Sequence, residues 1–480
     1  MRKKLVFASE CRDSNVCAYV MHGGKLMGVK VLKFGGSSVA DGIQLRKLKE
    51  IVDADPERRY VVVSAPGKRF SGDNKVTDLL YLCKTEIDNH IPYDQVFQVI
   101  IDRYSAVKLN LGIQVDLKSR YEEIRKNIEA GCSVDYLASR GEYLSAVLVA
   151  AYLGYDFVDT AGLIQFDSRG RLLPEETNEA LKAELAKHER AVLPGFYGTQ
   201  AGTDKVRVFS RGGSDVTGSL VARAVEADVY ENWTDVSGLL MADPRIVENP
   251  KPIDQITYVE LRELSYMGAS VLHEDAVFPV RGANIPINIR NTNKPDDPGT
   301  MITTTRPENT NRILSGVAGN KDFTVIAIYK NMLNKEVGFI RRVLTILEDL
   351  DVSFEHIPTG IDTVSVVISN DQLPEGKLDD VLEALERQVA PDSITVHDDI
   401  ALIAAVGIGM SRRLGTSARL FTALAEAGVN VRMIDQGSSE INIIIGVSNE
   451  DFDTAIKAIY NAFNSDRDDV LADTLAKINA

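Results

Sequence analysis

Residues 29–38 read Val-Lys-Val-Leu-Lys-Phe-Gly-Gly-Ser-Ser, an apolar run that stops at two glycines. The first six, VKVLKF, have the content of a buried strand, and Gly35 and Gly36 end it. Ser37 or Ser38 then supplies a hydroxyl to cap the helix expected through Ile51. Strand, glycine turn and helix in this order form half of a parallel crossover, which predicts an α/β fold with a parallel-rich sheet and helices on both faces.

The same unit recurs along the chain. YVVVSA (60–65) is a second buried strand, and residues 135–153 form a long amphipathic helix. AVLPGFYG (191–198) and VRVFS (206–210) are strands that run into further glycine turns, with a helix over 215–227 after the second. The sheet is expected to extend to PINIR (286–290), and the Pro-, Asp- and Asn-rich 291–300 reads as a domain exit. Beyond residue 309 the texture changes to a repeat. TVIAIYK (324–330), a helix over 338–350, DVSFEHI (351–357) and TVSVVIS (363–369) give strand, helix, strand, strand. DIALIAAVG (399–407), a helix over 416–427, VNVRMID (429–435) and EINIIIGV (440–447) repeat that order, and a helix over 452–463 follows. Two ferredoxin-like α+β modules are expected. The expected domains are an extension over 1–26 without fixed structure, a catalytic domain over 27–308, and modules over 309–398 and 399–480. The last borrows a strand from about 312–318.

Composition narrows the functional classes. The 480 residues are 44% hydrophobic and 26% charged, with 35 Gly and 16 Pro, an ordinary globular profile. At about 150 residues per domain, the length suggests about three domains. The net charge of −15 disfavours nucleic acid and anionic lipid. Apolar runs such as 146–151 and 400–406 are far shorter than the roughly 20 residues that span a bilayer, so no membrane span is expected. Cys11, Cys17, Cys83 and Cys132 show no CxxC spacing and no disulfide density, which points to a reducing cytoplasm without structural zinc.

Three glycine-rich stretches carry candidate chemistry. Lys33 precedes Phe34, Gly35 and Gly36, where main-chain N–H groups, a helix start and a full charge can converge on a phosphate. The order differs from GxxxxGK[ST], so a Walker ATPase is not implied, and the motif reads equally as a tight turn with a snorkelling lysine. In RGGSD (211–215), Arg211 can clamp a carboxylate, while Asp215 can orient an ammonium, a lysine or a metal, or simply cap a helix. WTDVSGLLMADPR (233–245) places Thr234, Asp235 and Arg245 at a strand end, where open α/β sheets bind ligands. Glu142 in SRGEYL reads by itself as a solvated helical glutamate. His273 suggests a structural role, and GIGMSR (407–412) lacks the third glycine of a dinucleotide fingerprint.

Taken in order, KFGGSSVA, SRGE, FSRGGSD, WTDVSG, DPR and GASVLH resemble the aspartokinases of the amino acid kinase family, from about Met27 to the C-terminus. The repeat resembles their paired ACT domains. The resemblance implies transfer of the γ-phosphoryl of MgATP to the side-chain carboxylate of L-aspartate, the first step toward lysine, threonine and methionine. The implied catalytic residues are Lys33 and Asp215, with Asp215 positioning either Lys33 or the substrate amine. ATP is assigned to Lys33, Phe34, Gly35, Gly36, Thr234, Asp235, Leu240, Arg245 and Ser270, with Mg2+ carried by the nucleotide and no direct protein ligand. Leu240 stands where relatives often have tyrosine, Ser270 where they often have lysine, and Glu274 where they often have proline. Aspartate is assigned to Thr77, Glu142, Arg211, Gly213 and Ser214, with Arg211 on the α-carboxylate and Glu142 on the α-ammonium. A feedback effector, lysine in preference to threonine, is placed at Met332, Gly338, Phe339, Phe354, Glu355 and Thr359, with Gln436 facing it. A homodimer or dimer of dimers through residues 309–480 is expected. The alternatives are an acetylglutamate or glutamate kinase and a catalytically dead amino acid sensor.

Overall fold

The computed structural model describes residues 28–210, 212–269, 277–305 and 312–464, together with Met21–His22, Lys25–Leu26 and Leu272. Within the span read as an extension, Met21–His22 and Lys25–Leu26 pair antiparallel, while 1–20 lie outside the described residues. The chain divides into two compact units: residues up to Asp235 with 275–287 and 292–295, and 236–274 with 288–291 and 296–480.

In the first unit the strands are β1 (Lys30–Phe34), β2 (Arg58–Val63), β3 (Asp156–Phe157), β4 (Gln165–Phe166), β5 (Ala191–Pro194), β6 (Tyr197–Gln200), β7 (Val206–Val208) and β8 (Val229–Thr234). β8, β1, β2, β5 and β3 stand side by side in that order, all parallel. Phe34 lies level with both Trp233 and Val63, and Val63 with Pro194. The loops that leave these strands therefore start from one edge. β4, β6 and β7 form a separate three-stranded sheet.

The main helices of this unit are α1 (Gly42–Asp53), α2 (Val76–Asp88), α3 (Asp94–Leu111), α4 (Lys118–Glu129), α5 (Val134–Leu153), α6 (Pro174–Leu185) and α7 (Gly213–Ala224). Strand alternation sorts them by face. Leu32, Phe34, Val61 and Val63 enter one core with residues of α1, α2, α3 and α5, whereas Lys33 projects to the face that carries α7. The cap of α1 is Asp41, which accepts from the N–H groups of Ile43 (2.8 Å) and Gln44 (2.9 Å). The expected serine cap fails because a one-turn 3-10 helix, Gly36–Val39, intervenes, and the Ser38 hydroxyl bonds to Thr292 instead.

One buried ion pair braces the sheet. Arg58 Nε lies 3.0 Å from Glu231 Oε2 and its Nη2 3.2 Å from Oε1, while Trp233 Nε1 donates to the same carboxylate at 2.9 Å. Removing one partner strands a charge in the core, so Glu231→Ala is expected to cost about 3–5 kcal/mol in a denaturant titration. A loss below about 1 kcal/mol would contradict this role.

In the second unit, β9 (Gln255–Thr257), β11 (Thr300–Thr303) and β10 (Ile287–Asn291, of which 288–291 belong here) are neighbours in the order β9, β11, β10. The chain thus adds two strands, β9 and β11, that periodicity did not reveal. Helix α8 (Tyr258–Tyr266) starts with a capping box between Thr257 and Glu260. Glu260 is fully buried and also accepts from Ser315 Oγ and, at 2.8 Å, from the N–H of Ile408.

The repeat region is a five-stranded antiparallel sheet of β12 (Gly316–Tyr329), β13 (Thr363–Ser369), β14 (Ser393–Val406), β15 (Met433–Asp435) and β16 (Asn442–Val447), in the order β13, β12, β14, β16, β15. Gly316–Asn320 pair with Leu402–Val406, whereas Phe323–Tyr329 pair with β13 and with the first half of β14. Both long strands therefore serve both modules, and the ladder breaks between Asn320 and Phe323, where Asp322 has φ 68°. Helices α9 (Phe339–Asp349), α10 (Lys377–Val389), α11 (Thr416–Glu426) and α12 (Phe452–Asn464) pack as α9 with α10 and α11 with α12. DVSFEHI forms only one isolated bridge, His356 to Val367, and Thr359 just beyond it bridges Val364, with Pro358, which lacks a ladder donor, between them. Among the described residues no helix is long and apolar enough to cross a membrane.

Candidate functional site

Lys33 sits one residue before the end of β1, and burial leaves it little contact with solvent. Its ammonium pairs with Asp215 in the first turn of α7. Asn232, level with Lys33 on β8, donates its Nδ2 to the same oxygen, Asp215 Oδ1, at 2.8 Å. The structure thus joins two of the expected residues and adds a third that sequence reasoning missed. Nothing in the strand, Val-Tyr-Glu-Asn-Trp-Thr, set it apart, since its neighbour Glu231 is polar too.

The glycines beyond β1 have distinct uses. Gly35 donates its N–H to the Trp233 carbonyl at 3.0 Å, so that group is committed to the fold. At Gly36 a side chain would meet the Ala65 carbonyl at 2.9 Å, and the Gly67 N–H donates to the Gly36 carbonyl at 2.8 Å. Two strand-end loops therefore touch main chain to main chain. The N–H groups of Gly36 and Ser37 open the 3-10 turn, where no intrahelical acceptor is available to them. Phe34 reaches this edge only through its main chain, because its ring is buried and stacked on Trp233 at 6.0 Å.

Glu142 departs furthest from the sequence expectation. It lies on α5 in the interior, where its carboxylate receives the Ala65 N–H and its Oε2 has no partner among the described residues. Desolvation pushes its carboxyl up to about 8. Ala65 is the link: its N–H serves Glu142, and its carbonyl faces Gly36 of the Lys33 loop. Gly141 permits this approach, since a side chain there would lie 2.7 Å from Ala65 Cβ. Arg103 of α3, another residue the sequence did not mark, pins the same loop by donating to the carbonyls of Gly67 and, at 2.6 Å, Asn74. Thr77 follows in the first turn of α2, half-buried.

Gly213 and Ser214 open α7 after Gly212, whose φ of 57° favours glycine. A side chain on Gly213 would strike Phe196 and Phe209, and one on Gly195 would strike Ser214. Arg211, Ser270, His273 and Glu274 lie outside the described residues. Thr234 ends β8 with its hydroxyl 3.2 Å from Asp235 Oδ1, and Asp235 is exposed.

In the second unit, Leu240 forms a bridge with Pro252, and Arg245 is exposed and chelates Asp243, with its Nε 3.0 Å from each carboxylate oxygen. Met332 (φ 60°) and Gly338 (φ 80°) flank the turn before α9, and Phe339 is buried beneath Lys330, 5.4 Å from its ring. Phe354 and Thr359 are exposed. Glu355 accepts from the Tyr266 hydroxyl and, with Lys321, Asn320 and Asp371, lines a cavity of about 380 Å3. Gln436 lines a different cavity of about 410 Å3, built by the second module's own turn from Met410 to Ala418 and by Glu440. The two segments meet one residue away from each, where His356 Nδ1 lies 2.8 Å from Asp435 Oδ2.

Comparison with known proteins gives a consistent result. The amino acid kinase family model matches residues 28–291, and an ACT domain model matches 403–463. Aspartokinase 3 of Bacillus subtilis is 39% identical over 91% of this chain and 98% of its own length. The crystal structure of Clostridium acetobutylicum aspartate kinase is 53% identical, covers 91% of this chain and 100% of that one, and superposes with a TM-score of 0.84. Escherichia coli aspartokinase III, solved with aspartate and ADP and also with lysine and aspartate, is 25% identical at a TM-score of 0.69, covering 91% of this chain and 100% of that one. With a lysine-bearing glycine loop, a buried glutamate beside it and relatives matched almost end to end, the chain belongs to the aspartokinases of the amino acid kinase family.

Proposed function

We propose that this protein is an aspartate kinase, transferring the γ-phosphoryl of ATP to the side-chain carboxylate of L-aspartate to give 4-phospho-L-aspartate and ADP. The observation that carries this reading is the buried, half-satisfied carboxylate of Glu142, joined through Ala65 to the Lys33 loop. An ammonium is what such a carboxylate needs, and the neighbouring loop suits a phosphoryl group. N-acetylglutamate carries an uncharged amide where aspartate carries the ammonium, and would leave Glu142 without a cation. Glutamate keeps the ammonium, but its extra methylene displaces the reacting carboxylate.

A carboxylate is already the nucleophile at neutral pH, so no strong base is required. The protein has to align reactants and offset negative charge. Lys33 faces the transferring group, and Asp215 holds Lys33 at the head of α7. Thr77, Gly213, Ser214 and Arg211 complete the aspartate site, with Arg211 on the α-carboxylate, and Thr234 and Asp235 serve the nucleotide. Mg2+ carried by the nucleotide, with no direct protein ligand, would supply further neutralising charge at the transferring phosphoryl group. The test is ADP formation by purified protein: L-aspartate is expected to drive it, and L-glutamate and N-acetylglutamate to leave it at background. Equal rates with glutamate would overturn the reading.

Residues 27–308 are the proposed catalytic domain, with ACT modules over 309–398 and 399–480, in a cytoplasmic homodimer or dimer of dimers assembled through them. Lysine is the proposed feedback effector, supported by the lysine complex of the E. coli relative. Glu355→Ala and Thr359→Ile are expected to weaken inhibition by about 1–3 kcal/mol of coupling while uninhibited turnover persists. A lysine titration checks this, and undiminished inhibition in both variants would remove the site.

A further inference from the structure

The face of β8 that meets α7 converges on one residue of the helix, Asp215. Tyr230 and Asn232 alternate on one side of the strand, and both reach Asp215. The Tyr230 hydroxyl donates to the Asp215 carbonyl at 3.1 Å, and Asn232 Nδ2 to its carboxylate. Tyr230 passes so closely beneath the helix that a side chain on Gly218 would lie 2.4 Å from its hydroxyl. Main chain and side chain of one aspartate are thus gripped separately, and that aspartate pairs with the lysine nearest the proposed phosphoryl site. Glu231, between them, points to the other face and belongs to Arg58.

We propose that Asn232 is a positioning residue of phosphoryl transfer, an inference that rests on the proposed aspartate kinase activity. Its amide and the Lys33 ammonium share one oxygen, Asp215 Oδ1, so the amide competes for the lone pairs that would otherwise hold Lys33 alone. An uncharged donor at this place fixes the carboxylate without adding charge beside the transferring phosphoryl group. An amide does this, whereas a hydrocarbon leaves Lys33 and Asp215 locked one to one, and a carboxylate repels Asp215.

Two variants test it. Asn232→Leu is expected to lower kcat on the order of tenfold or more while both KM values stay within about threefold, the split of an interaction that acts on the transition state. Asn232→Asp is nearly isosteric and sets a second carboxylate at hydrogen-bond distance from Asp215. The groups that face it are Lys33, Asp215 and the Tyr230 hydroxyl, with the Arg58–Glu231 pair on the opposite side of the strand. Two carboxylates this close retain a proton between them at low pH, and that O–H imitates the amide donor. At saturating aspartate, the ratio of wild-type to Asn232→Asp kcat is therefore expected to grow by about tenfold or more from pH 6 to pH 9. A purely structural role would leave that ratio flat. If Asn232→Leu does not fold, the pH ratio decides alone, and a flat ratio overturns the inference. Wild type is assayed first: no aspartate-dependent turnover there refutes the activity itself, whereas an active wild type with unaffected variants refutes only the role of Asn232.

Discussion

Lys33→Ala is expected to retain its fold and lose on the order of 10² or more in kcat. Lys33 is a buried cation whose ammonium lies 3.8 Å from where a side chain on Gly35 would begin, already held by Asp215 before any substrate arrives. A charge fixed in advance stabilises developing negative charge without reorganisation, and removing one such donor typically costs this much. Asp215 keeps the Asn232 amide in the variant, so the carboxylate is not stranded. The measurement is kcat at saturating ATP and aspartate, with the thermal midpoint as the folding control. Near-normal turnover in a folded Lys33→Ala protein would show that the glycine loop holds no phosphoryl group.

The second large effect concerns Glu142. Glu142→Gln is expected to raise the aspartate KM by on the order of 10² while ATP binding persists, because in the proposed site the substrate ammonium would then meet an uncharged amide in place of a carboxylate. The wild type should also show a proton signature. Its carboxyl sits at about 8 when the site is empty and must ionise to pair with the ammonium. At pH 7, aspartate binding is then expected to release close to one proton, and log KM to fall with a slope near −1 as pH rises toward 8. Calorimetry in two buffers of different ionisation enthalpy reads this directly, and no proton release would contradict the assignment. Stability moves the opposite way. Between the ordinary glutamate range and about 8, the empty folded state holds a proton that the unfolded state does not, so stability is fully present at low pH and drains away as pH rises through 8. Glu142→Gln removes that loss, and its thermal midpoint is expected to exceed that of the wild type at pH 8.

The parallel sheet was legible because VKVLKF and YVVVSA place apolar residues on both faces, as a strand covered on both sides needs. The site was legible in part. Lys33 and Asp215 follow from glycine turns, since backbone crowding at Gly36, Gly67 and Gly213 dictates residue type locally. Glu142 was misread in isolation as solvated, because its burial comes from α2, α5 and the Ala65 loop meeting in space, which helical spacing does not encode. Asn232 and Arg103 were silent for the same reason. Their partners lie 17 residues away in one case, and 29 and 36 in the other. In the repeat region, the sharing of β12 and β14 between modules depends on a two-residue irregularity after Asn320 that leaves no trace in hydrophobic alternation.

Hydroxylamine trapping reports whether the phosphoryl group moves to the side-chain carboxylate of aspartate. An acyl phosphate reacts with hydroxylamine to give a hydroxamate, so purified protein with MgATP, L-aspartate and hydroxylamine should accumulate aspartyl hydroxamate in step with ADP. Aspartyl hydroxamate equal to the ADP formed, with background signal from L-glutamate and N-acetylglutamate, is the predicted result. ADP formed without hydroxamate, or hydroxamate formed equally from glutamate, would contradict the account.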